Sequence, residues 1–361
     1  GGGGWDIDDL DLGDVAVPSS PSKGGGGGGF FAPPTMGTPA TQRWLQTSSV
    51  PGEHVAAGAF DSALQLLQRQ CGVNAYGPLK PIFVSVALGA QCMVAGTPGA
   101  PAIDTAMHRN FADYTWTPRG SGGLPAVCVT VPMLQERVKA GYKFFTDGKL
   151  ADAQASFLVT LQSCLCAVVD SKQEVDELRD VQHVCKEYIT ATMLETTRRE
   201  QFKDDPVRNV ELAAYLTHCK MQPLHCLISL RSAMSSSVKL KNFNTAASMA
   251  RRLLELNPKA EHKEQALKVL KVCDANKSNE KQLQYDDRNP FVVCLETYAP
   301  IYRGQPMVRC AFCSAPFDNV MKGKTCLVCR VAEVGFSGTG LQNSRAQSKS
   351  ATRKGADDDD W

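Results

Sequence analysis

Apolar residues in the middle of the chain recur with the spacing of an amphipathic α-helix. Between residues 133 and 258 they fall three and four positions apart, which places them on one face of a helix. Glycine and proline interrupt this pattern and set the ends of the predicted helices. The pattern predicts seven helices. They cover Met133–Thr146, Leu150–Val168, Ser171–Phe202, a segment that begins at Pro206, Leu227–Leu240, Phe243–Leu256 and Glu261–Asp274.

Two of the predicted helix pairs have the residue spacing of a tetratricopeptide repeat. In the first pair, small and aromatic residues occupy the positions where two antiparallel helices approach each other. These residues are Gly141, Phe144, Gly148, Ala153 and Phe157. In the second pair, Ala246, Ala250, Leu253 and Pro258 fit the second helix and its end. The interval between the pairs is irregular, so we predict a mainly α fold, an irregular TPR-like solenoid of helical hairpins. A compact helical domain without a groove is the alternative.

The part of the chain before this helical region has a mixed pattern. Two aromatic-bearing runs, Phe30–Pro34 and Gln42–Gln46, flank a turn-rich stretch and predict a hairpin. A helical pattern begins at Gly52 and stops at Gly72. The uncharged stretch Pro81–Ile103 is broken too often by proline and glycine for a membrane helix, so we expect a short buried element followed by a loop. Ala126–Val131 is a candidate strand between two prolines.

Composition divides the chain into five predicted segments. Glycine and aspartate dominate the first of them, and serine, lysine and aspartate the last, so we expect both to be disordered. The segments are a disordered Gly/Asp-rich linker with an acidic motif (1–29), a mixed extended and helical part (30–132), the helical-hairpin core (133–288), a β-rich, zinc-ribbon-like cysteine module (289–340) and a disordered charged tail (341–361).

The charge balance and the cysteine usage narrow the class of protein. The chain has 39 basic and 37 acidic residues and a formal net charge of +2, so no overall field favours nucleic acid or a membrane surface. Of its 14 cysteines, most are scattered among helical patterns, where a free thiol packs as a small hydrophobic group. The first residues do not have the pattern of a secretory signal. We therefore expect a reducing, cytoplasmic compartment.

Four cysteines near the end of the chain have the spacing of a metal site. Cys310 and Cys313 form one Cys-x-x-Cys pair, and Cys326 and Cys329 form another after twelve intervening residues. Two such turns brought together give the four-sulfur cage that zinc prefers. We therefore expect a structural zinc ion in a closed site, which leaves no coordination position for a substrate.

Two other functions of the cysteine pairs stay open at this stage. A thiol–disulfide redox protein also uses Cys-x-x-Cys, although usually as a single motif at the start of a helix. A zinc ribbon can bind nucleic acid, and basic residues lie close by at Arg309, Lys322, Lys324 and Arg330. The pattern includes no recognition helix, and the net charge is small, so we expect no nucleic-acid partner.

The chain has no recognisable catalytic motif. It contains neither Gly-x-Ser-x-Gly nor His-Glu-x-x-His. His218-Cys219 and His225-Cys226 repeat seven residues apart, with Pro223 between them. Buried cysteines and partly exposed histidines explain these pairs better than a ligand set. We therefore expect no enzymatic activity.

Short segments in a shared order along the chain resemble the C-terminal region of the alpha subunit of coatomer, the COPI vesicle coat. The most specific segment is Leu240–Phe243, continuing through Ala246-Ala247 to Ala250–Leu256. The other segments are Trp5–Ile7, Phe31–Pro33, Trp44, His54–Phe60, Gly77-Pro78, Gly123–Val127, Lys172–Glu174, Ala213–Tyr215, Gln222-Pro223, Asn289–Phe291, Ile301–Gly304 and the cysteine region. The resemblance covers about residues 5–340.

This resemblance implies a scaffold that binds other coat proteins. It implies the epsilon subunit of coatomer, itself a tetratricopeptide protein, as a partner, together with other coatomer subunits such as beta-prime. It also implies a cytoplasmic protein, peripheral on Golgi membranes and COPI vesicles, in Golgi-to-ER retrograde and intra-Golgi transport. The family's cargo-reading β-propellers have no counterpart in this sequence. Because exposed apolar segments mark interfaces, we expect Phe30, Phe31 and Trp44 to contact the epsilon subunit.

Overall fold

The computed structural model describes residues 45–46, 48–94, 103–106, 127–276 and 278–344. As predicted, this part of the chain is mainly helical, with short strands near its end. The helices are α1 (Pro51–Ala56), α2 (Phe60–Cys71), α3 (Lys80–Gly89), α4 (Val131–Thr146), α5 (Leu150–Ser163), α6 (Lys172–Glu200), α7 (Pro206–Leu216), α8 (Pro223–Lys239), α9 (Phe243–Glu255) and α10 (Ala260–Ala275).

The helices from α4 to α10 stack so that each one packs against the next along the chain. In the first hairpin, Gly148 has a φ of 73° and provides the tight turn between α4 and α5. Gly141 faces the ring of Phe157, and a Cβ atom there would lie 2.7 Å from a ring carbon. The tetratricopeptide spacing therefore identified a real close approach of two helices, and the TPR-like helical stack is confirmed.

The longest helix, α6, is fixed at its start by a capping box. The Ser171 hydroxyl accepts a hydrogen bond from the backbone N–H of Glu174, and the Glu174 carboxylate accepts one from the N–H of Ser171. This reciprocal arrangement satisfies amides that have no partner inside the helix. The predicted helix Ser171–Phe202 is confirmed with slightly shorter ends.

The far end of the stack, α7 to α10, has its own apolar cluster, built from alanines, leucines and methionines. The turn between α8 and α9 is locked by Asn242, whose side chain both accepts from and donates to the backbone of Lys281, at 2.9 Å each. The Tyr215 hydroxyl donates to the carbonyl of Gln284 at 2.6 Å. The polar stretch after α10 therefore folds back along α7 and the α8–α9 turn.

The part of the chain before α4 differs from the sequence expectation in three places. The predicted helix from Gly52 to Gly72 is two helices, because Gly58 has a φ of 77° and ends α1. Gly72 ends α2 in a left-handed conformation, as expected. After α3, a strand pair follows in place of a loop, with β1 (Gln91–Val94) antiparallel to β2 (Ile103–Ala106).

The third difference concerns the candidate strand Ala126–Val131, which is wrong. Residues 127–130 are irregular, and helix α4 begins at Val131. Pro132 lies in the first turn of this helix, where its missing N–H removes no intrahelical hydrogen bond. The alternation of apolar residues before it is therefore the entry to a helix.

The cysteine region contains two short antiparallel strand pairs and two isolated antiparallel bridges. Strand β3 (Phe291–Cys294) pairs with β4 (Ala299–Tyr302), and β5 (Val308–Arg309) pairs with β6 (Pro316–Phe317). Isolated bridges join Cys310 to Val334 and Thr325 to Glu333. One apolar cluster connects this region with helices α1 to α7, so the core crosses the predicted segment boundaries at 132 and 288.

Gln70, which is buried, joins residues from the two ends of the described chain. Its side chain donates to the carbonyl of Ser49 at 2.8 Å and accepts from the backbone N–H of Gln342 at 3.0 Å. The Ser49 hydroxyl donates to the side chain of Gln342 at 2.7 Å. Asn343, within the predicted tail 341–361, is buried and donates to the carbonyls of Cys164 and Ala167. The first four residues of that segment are therefore ordered against the helices.

Among the described residues, no helix combines the length and the apolar character that crossing a bilayer requires. Of the predicted hairpin, only Leu45 and Gln46 are among the described residues. Phe30, Phe31 and Trp44 lie outside them, as do the acidic start and the acidic end of the chain.

Candidate metal centre and its surroundings

Two similar turns present the four cysteines that the spacing singled out. In the first turn, the backbone N–H of Ser314 donates to the carbonyl of Cys310 at 3.0 Å. In the second, the N–H of Arg330 donates to the carbonyl of Cys326 at 2.9 Å. Ser314 and Arg330 both adopt left-handed conformations, with φ of 56° and 60°. In each turn the backbone thus reverses direction directly after the second cysteine, and both thiols of a pair point to the same side.

The four sulfur atoms form a compact and buried cluster. They all lie within 4.8 Å of one another. Cys310 and Cys329 are 3.7 Å apart at their sulfurs, and Cys313 and Cys326 are 3.6 Å apart. A disulfide would require about 2.05 Å, whereas four sulfurs placed tetrahedrally at about 2.3 Å from one ion are about 3.8 Å apart. The cluster therefore fits a tetrahedral, four-sulfur metal site.

The electrostatics of the cluster favour a bound cation. Hydrogen bonds from the other three thiols lower the pKa of Cys310. Burial, followed by the neighbouring sulfurs, raises the pKa of Cys313 and that of Cys326. Four thiolates in one buried place repel each other and lose their hydration. A divalent cation among them reverses that balance, because it stabilises the deprotonated form of each ligand.

The cysteine cluster is hydrogen-bonded directly to the helical part of the chain. The buried side chain of Gln162, on α5, donates to the carbonyl of Cys329 at 2.9 Å. After α2, the N–H of Asn74 donates to the carbonyl of Val331 at 2.9 Å, and the carbonyl of Gly72 accepts from the N–H of Glu333 at 2.8 Å. The turn that carries Cys326 and Cys329 is thus held by α5, and the residues directly after it are held by the segment that follows α2.

Most of the remaining described cysteines are buried and apolar, as the sequence predicted. Burial raises the pKa of the Cys71, Cys164, Cys166, Cys185 and Cys219 thiols. These thiols are therefore protonated and unreactive near neutral pH. Cys128 and Cys226 are exceptions, since Cys128 is exposed and Cys226 is only half-buried.

Sequence reasoning missed a buried polar cluster around His225. This histidine was expected to be partly exposed, but it is buried where α4, α6 and α8 meet. Its Nδ1 lies 2.6 Å from the Tyr188 hydroxyl and its Nε2 lies 2.8 Å from the Thr146 hydroxyl. The rings of Tyr142 and Phe145 pack against it. Its pair with Cys226 in sequence gave no indication of these partners, which come from distant helices. His218, by contrast, lies at the surface.

A groove lies between the middle of α6, the end of α7 and the cysteine region. It encloses a cavity of about 390 Å³ and has both charged and aromatic walls. Phe291 in this wall packs against Tyr215, with ring centroids 5.6 Å apart. Elsewhere on the surface, large apolar side chains are exposed on α3 at Val84 and Leu88. Such surfaces are typical of proteins that bind other proteins.

Comparison with known proteins identifies the family. The family of the C-terminus of the coatomer (COPI) alpha subunit matches residues 1–349. Coatomer subunit alpha-1 of Oryza sativa subsp. japonica is 41% identical over 347 residues, which cover 96% of this chain and 28% of that protein. Coatomer subunit alpha-1 of Arabidopsis thaliana is 39% identical over 345 residues, which again cover 96% and 28%. Coatomer subunit alpha of Dictyostelium discoideum is 37% identical over 349 residues, which cover 94% and 28%.

The chain spans about 28% of the length of these relatives. Both the family match and the pairwise identities extend over nearly the whole chain, so the resemblance seen in short segments is confirmed. The chain belongs to the coatomer alpha subunits and corresponds to their C-terminal region.

Proposed function

We propose that this chain is a non-catalytic scaffold of the COPI vesicle coat that binds the epsilon subunit of coatomer. Its membership of the coatomer alpha C-terminal family is the observation that carries this proposal. The stack of helices from α4 to α10 supports it, because stacked helical hairpins present extended surfaces to other proteins. In this proposal the chain acts in Golgi-to-ER retrograde and intra-Golgi transport. It works from the cytoplasm, peripheral on Golgi membranes and COPI vesicles, with beta-prime among its other partners.

The proposed contact with the epsilon subunit uses Phe30, Phe31 and Trp44. These aromatic residues lie in a weakly charged stretch of sequence that is too apolar to stay in water alone. Aromatic anchors of this kind contribute most of the binding energy at many interfaces. Within the described part of the chain, Val84 and Leu88 on α3 are exposed apolar side chains available to a protein partner.

A pull-down of the epsilon subunit tests this contact. The double variant Phe31→Asp/Trp44→Asp places charges where apolar anchors are proposed, so we expect its affinity for the epsilon subunit to fall at least about a hundredfold. The matched control is Trp5→Asp, which changes an aromatic residue in the acidic segment and is expected to bind normally. If the double variant retains the epsilon subunit fully, Phe31 and Trp44 are not part of the interface. If no coatomer subunit co-purifies with this chain from cytosol, the proposed scaffold function is wrong.

We also propose that the four cysteines bind one structural zinc ion. Zinc prefers four thiolates in tetrahedral geometry, and the sulfur separations of 3.6 and 3.7 Å fit that geometry. Bound zinc would hold the two turns together and leave no coordination position for a reactant. The thiol–disulfide alternative needs an exposed nucleophilic sulfur, whereas all four sulfurs are buried.

A further inference from the structure

The groove between α6, α7 and the cysteine region carries an excess of positive charge. Its wall includes the basic side chains of Lys186, Lys220, Arg288 and Arg309 and the acidic side chains of Glu187 and Asp287. Lys186 and Glu187 pair with each other at 3.2 Å, and both side chains are nearly buried. In all, four basic residues and two carboxylates line the groove. The groove is therefore suited to an acidic ligand.

The same groove offers aromatic and apolar contacts next to its basic residues. Phe291 and Pro316 line it together with Tyr215. Phe291 also packs against Tyr302, with ring centroids 5.7 Å apart, so its position is fixed from two sides. A fixed aromatic wall beside guanidinium and ammonium groups favours a ligand that combines carboxylates with an aromatic ring.

This chain contains such a ligand in its own acidic end, Asp357–Trp361, which consists of four aspartates followed by a tryptophan. That segment lies beyond residue 349, where the family match stops. We propose that Asp357–Trp361 docks in the groove of the same chain, with its carboxylates beside Lys220 and Arg288 and the indole against Phe291.

The distances along the chain permit this docking. The described chain ends at Ser344, and the preceding Asn343 accepts from the backbone N–H of Val169 at 3.0 Å, close to the start of α6. The groove begins at His183 and reaches Thr190 on α6. At about 1.5 Å per residue, Thr190 is about 30 Å further along this helix. The 13-residue step from Ser344 to Asp357 can span about 45 Å when extended, which is enough to reach the groove.

Photo-crosslinking in the full chain tests the proposal. Benzoylphenylalanine replaces Trp361, and the attached peptides are identified by mass spectrometry after irradiation. We expect crosslinks within one chain to the peptides that contain Phe291 and Pro316. The charge-reversal variant Lys220→Glu/Arg288→Glu is expected to lower their yield about tenfold, because like charges then face each other. Both replaced side chains are at exposed positions, so the fold is expected to persist, and circular dichroism verifies it.

Two further variants make the outcome decisive. Lys263→Glu/Lys268→Glu reverses two exposed charges on α10, away from the groove, and is expected to leave the crosslinks unchanged. Replacing Asp357–Asp360 by asparagine leaves the described part of the chain intact and is expected to lower the yield as strongly as the groove variant. Crosslinks to other surfaces or between two chains would overturn the proposal. So would a crosslink yield that stays the same in both the groove variant and the asparagine variant.

Discussion

At the scale of single residues, His225 is held in one tautomer by the hydrogen bonds on both sides of its ring. The Thr146 hydroxyl donates its proton to the carbonyl of Tyr142 at 2.9 Å, so it accepts from His225 Nε2–H. Nδ1 is then the acceptor and receives the proton of the Tyr188 hydroxyl. Tyr188 in turn accepts from the backbone N–H of Gln222 at 3.0 Å. A second proton on the imidazole has no acceptor in this arrangement.

This arrangement predicts that His225 makes the protein less stable in acid. Burial lowers the pKa of His225 in the folded state, while its unfolded value is about 6.5. The unfolded chain therefore binds more protons below about pH 6.5, and folding loses up to about 1.4 kcal/mol per pH unit below that point. Above about pH 6.5 the imidazole is neutral in both the folded and the unfolded state, so the stability that depends on a neutral His225 is fully present. We expect His225→Gln to show a weaker loss of stability than the natural chain when the pH falls from 7.5 to 5.5.

Urea denaturation at a series of pH values measures this difference. The pKa of His218 is lowered as well, by desolvation and then by Arg252. Because His218 is present in both proteins, comparing their pH slopes isolates the contribution of His225. Equal pH slopes for the natural chain and His225→Gln would show that the buried imidazole does not control acid stability.

At the scale of elements, the contact between α4 and α5 depends on the absence of one side chain. Gly141 allows the Phe157 ring to lie directly against the backbone of α4. The sequence could predict this pair because both residues obey a repeat spacing within one hairpin. It could not predict the entry to α4, where Val127 and Val129 alternate as in a strand but Pro132 starts a helix. The strand prediction lacked the partner strand that a sheet requires, and only the folded chain shows which partners are nearby.

We predict that Gly141→Ala destabilises the protein although alanine is the better helix former. Alanine gains about 1 kcal/mol of helix propensity over glycine, but its Cβ would clash with the Phe157 ring. Overpacking of this kind costs about 1–3 kcal/mol, so the net change in the free energy of unfolding is expected to be a loss. Denaturant titration measures it. Adding Phe157→Leu to Gly141→Ala shrinks the facing side chain and is expected to recover part of the loss. A Gly141→Ala protein as stable as the natural one would contradict the close approach.

At the scale of the whole molecule, the cysteine region and the helices form one body. The sequence could predict the cluster itself, because its four residues repeat a local spacing. It could not predict that Val73 would pair with Ala332 or that Gln162 would bond to Cys329, since each contact joins residues far apart in the chain. The buried network of His225 escaped prediction for the same reason. The local sequence pattern determines the helices and the cysteine turns, whereas contacts between residues far apart in the sequence determine how these elements pack together.

Loss of the proposed zinc ion is therefore expected to loosen the helices as well as the cysteine region. We predict about one zinc ion per chain in the natural protein and none in Cys326→Ser, as measured by elemental analysis. Hydrogen exchange is expected to accelerate at the backbone amides of Asn74 and Glu333 in this variant, because their bonds connect α2 to the cysteine turn. The matched control, Cys128→Ser, removes an exposed thiol outside the cluster and is expected to keep both the zinc and the slow exchange. A metal-free natural protein with a disulfide between Cys310 and Cys313 would support the redox alternative.

The hydrogen bonds that connect Ser49, Gln70 and Gln342 bring the beginning and the end of the described chain to one place. The polypeptide therefore enters and leaves this body at neighbouring points. The helices from α4 to α10 lie between these two points in the sequence. A mechanical pull on both ends of the described chain would pass through this small junction. The helical stack would carry none of that tension and would keep its shape while the junction bears the load.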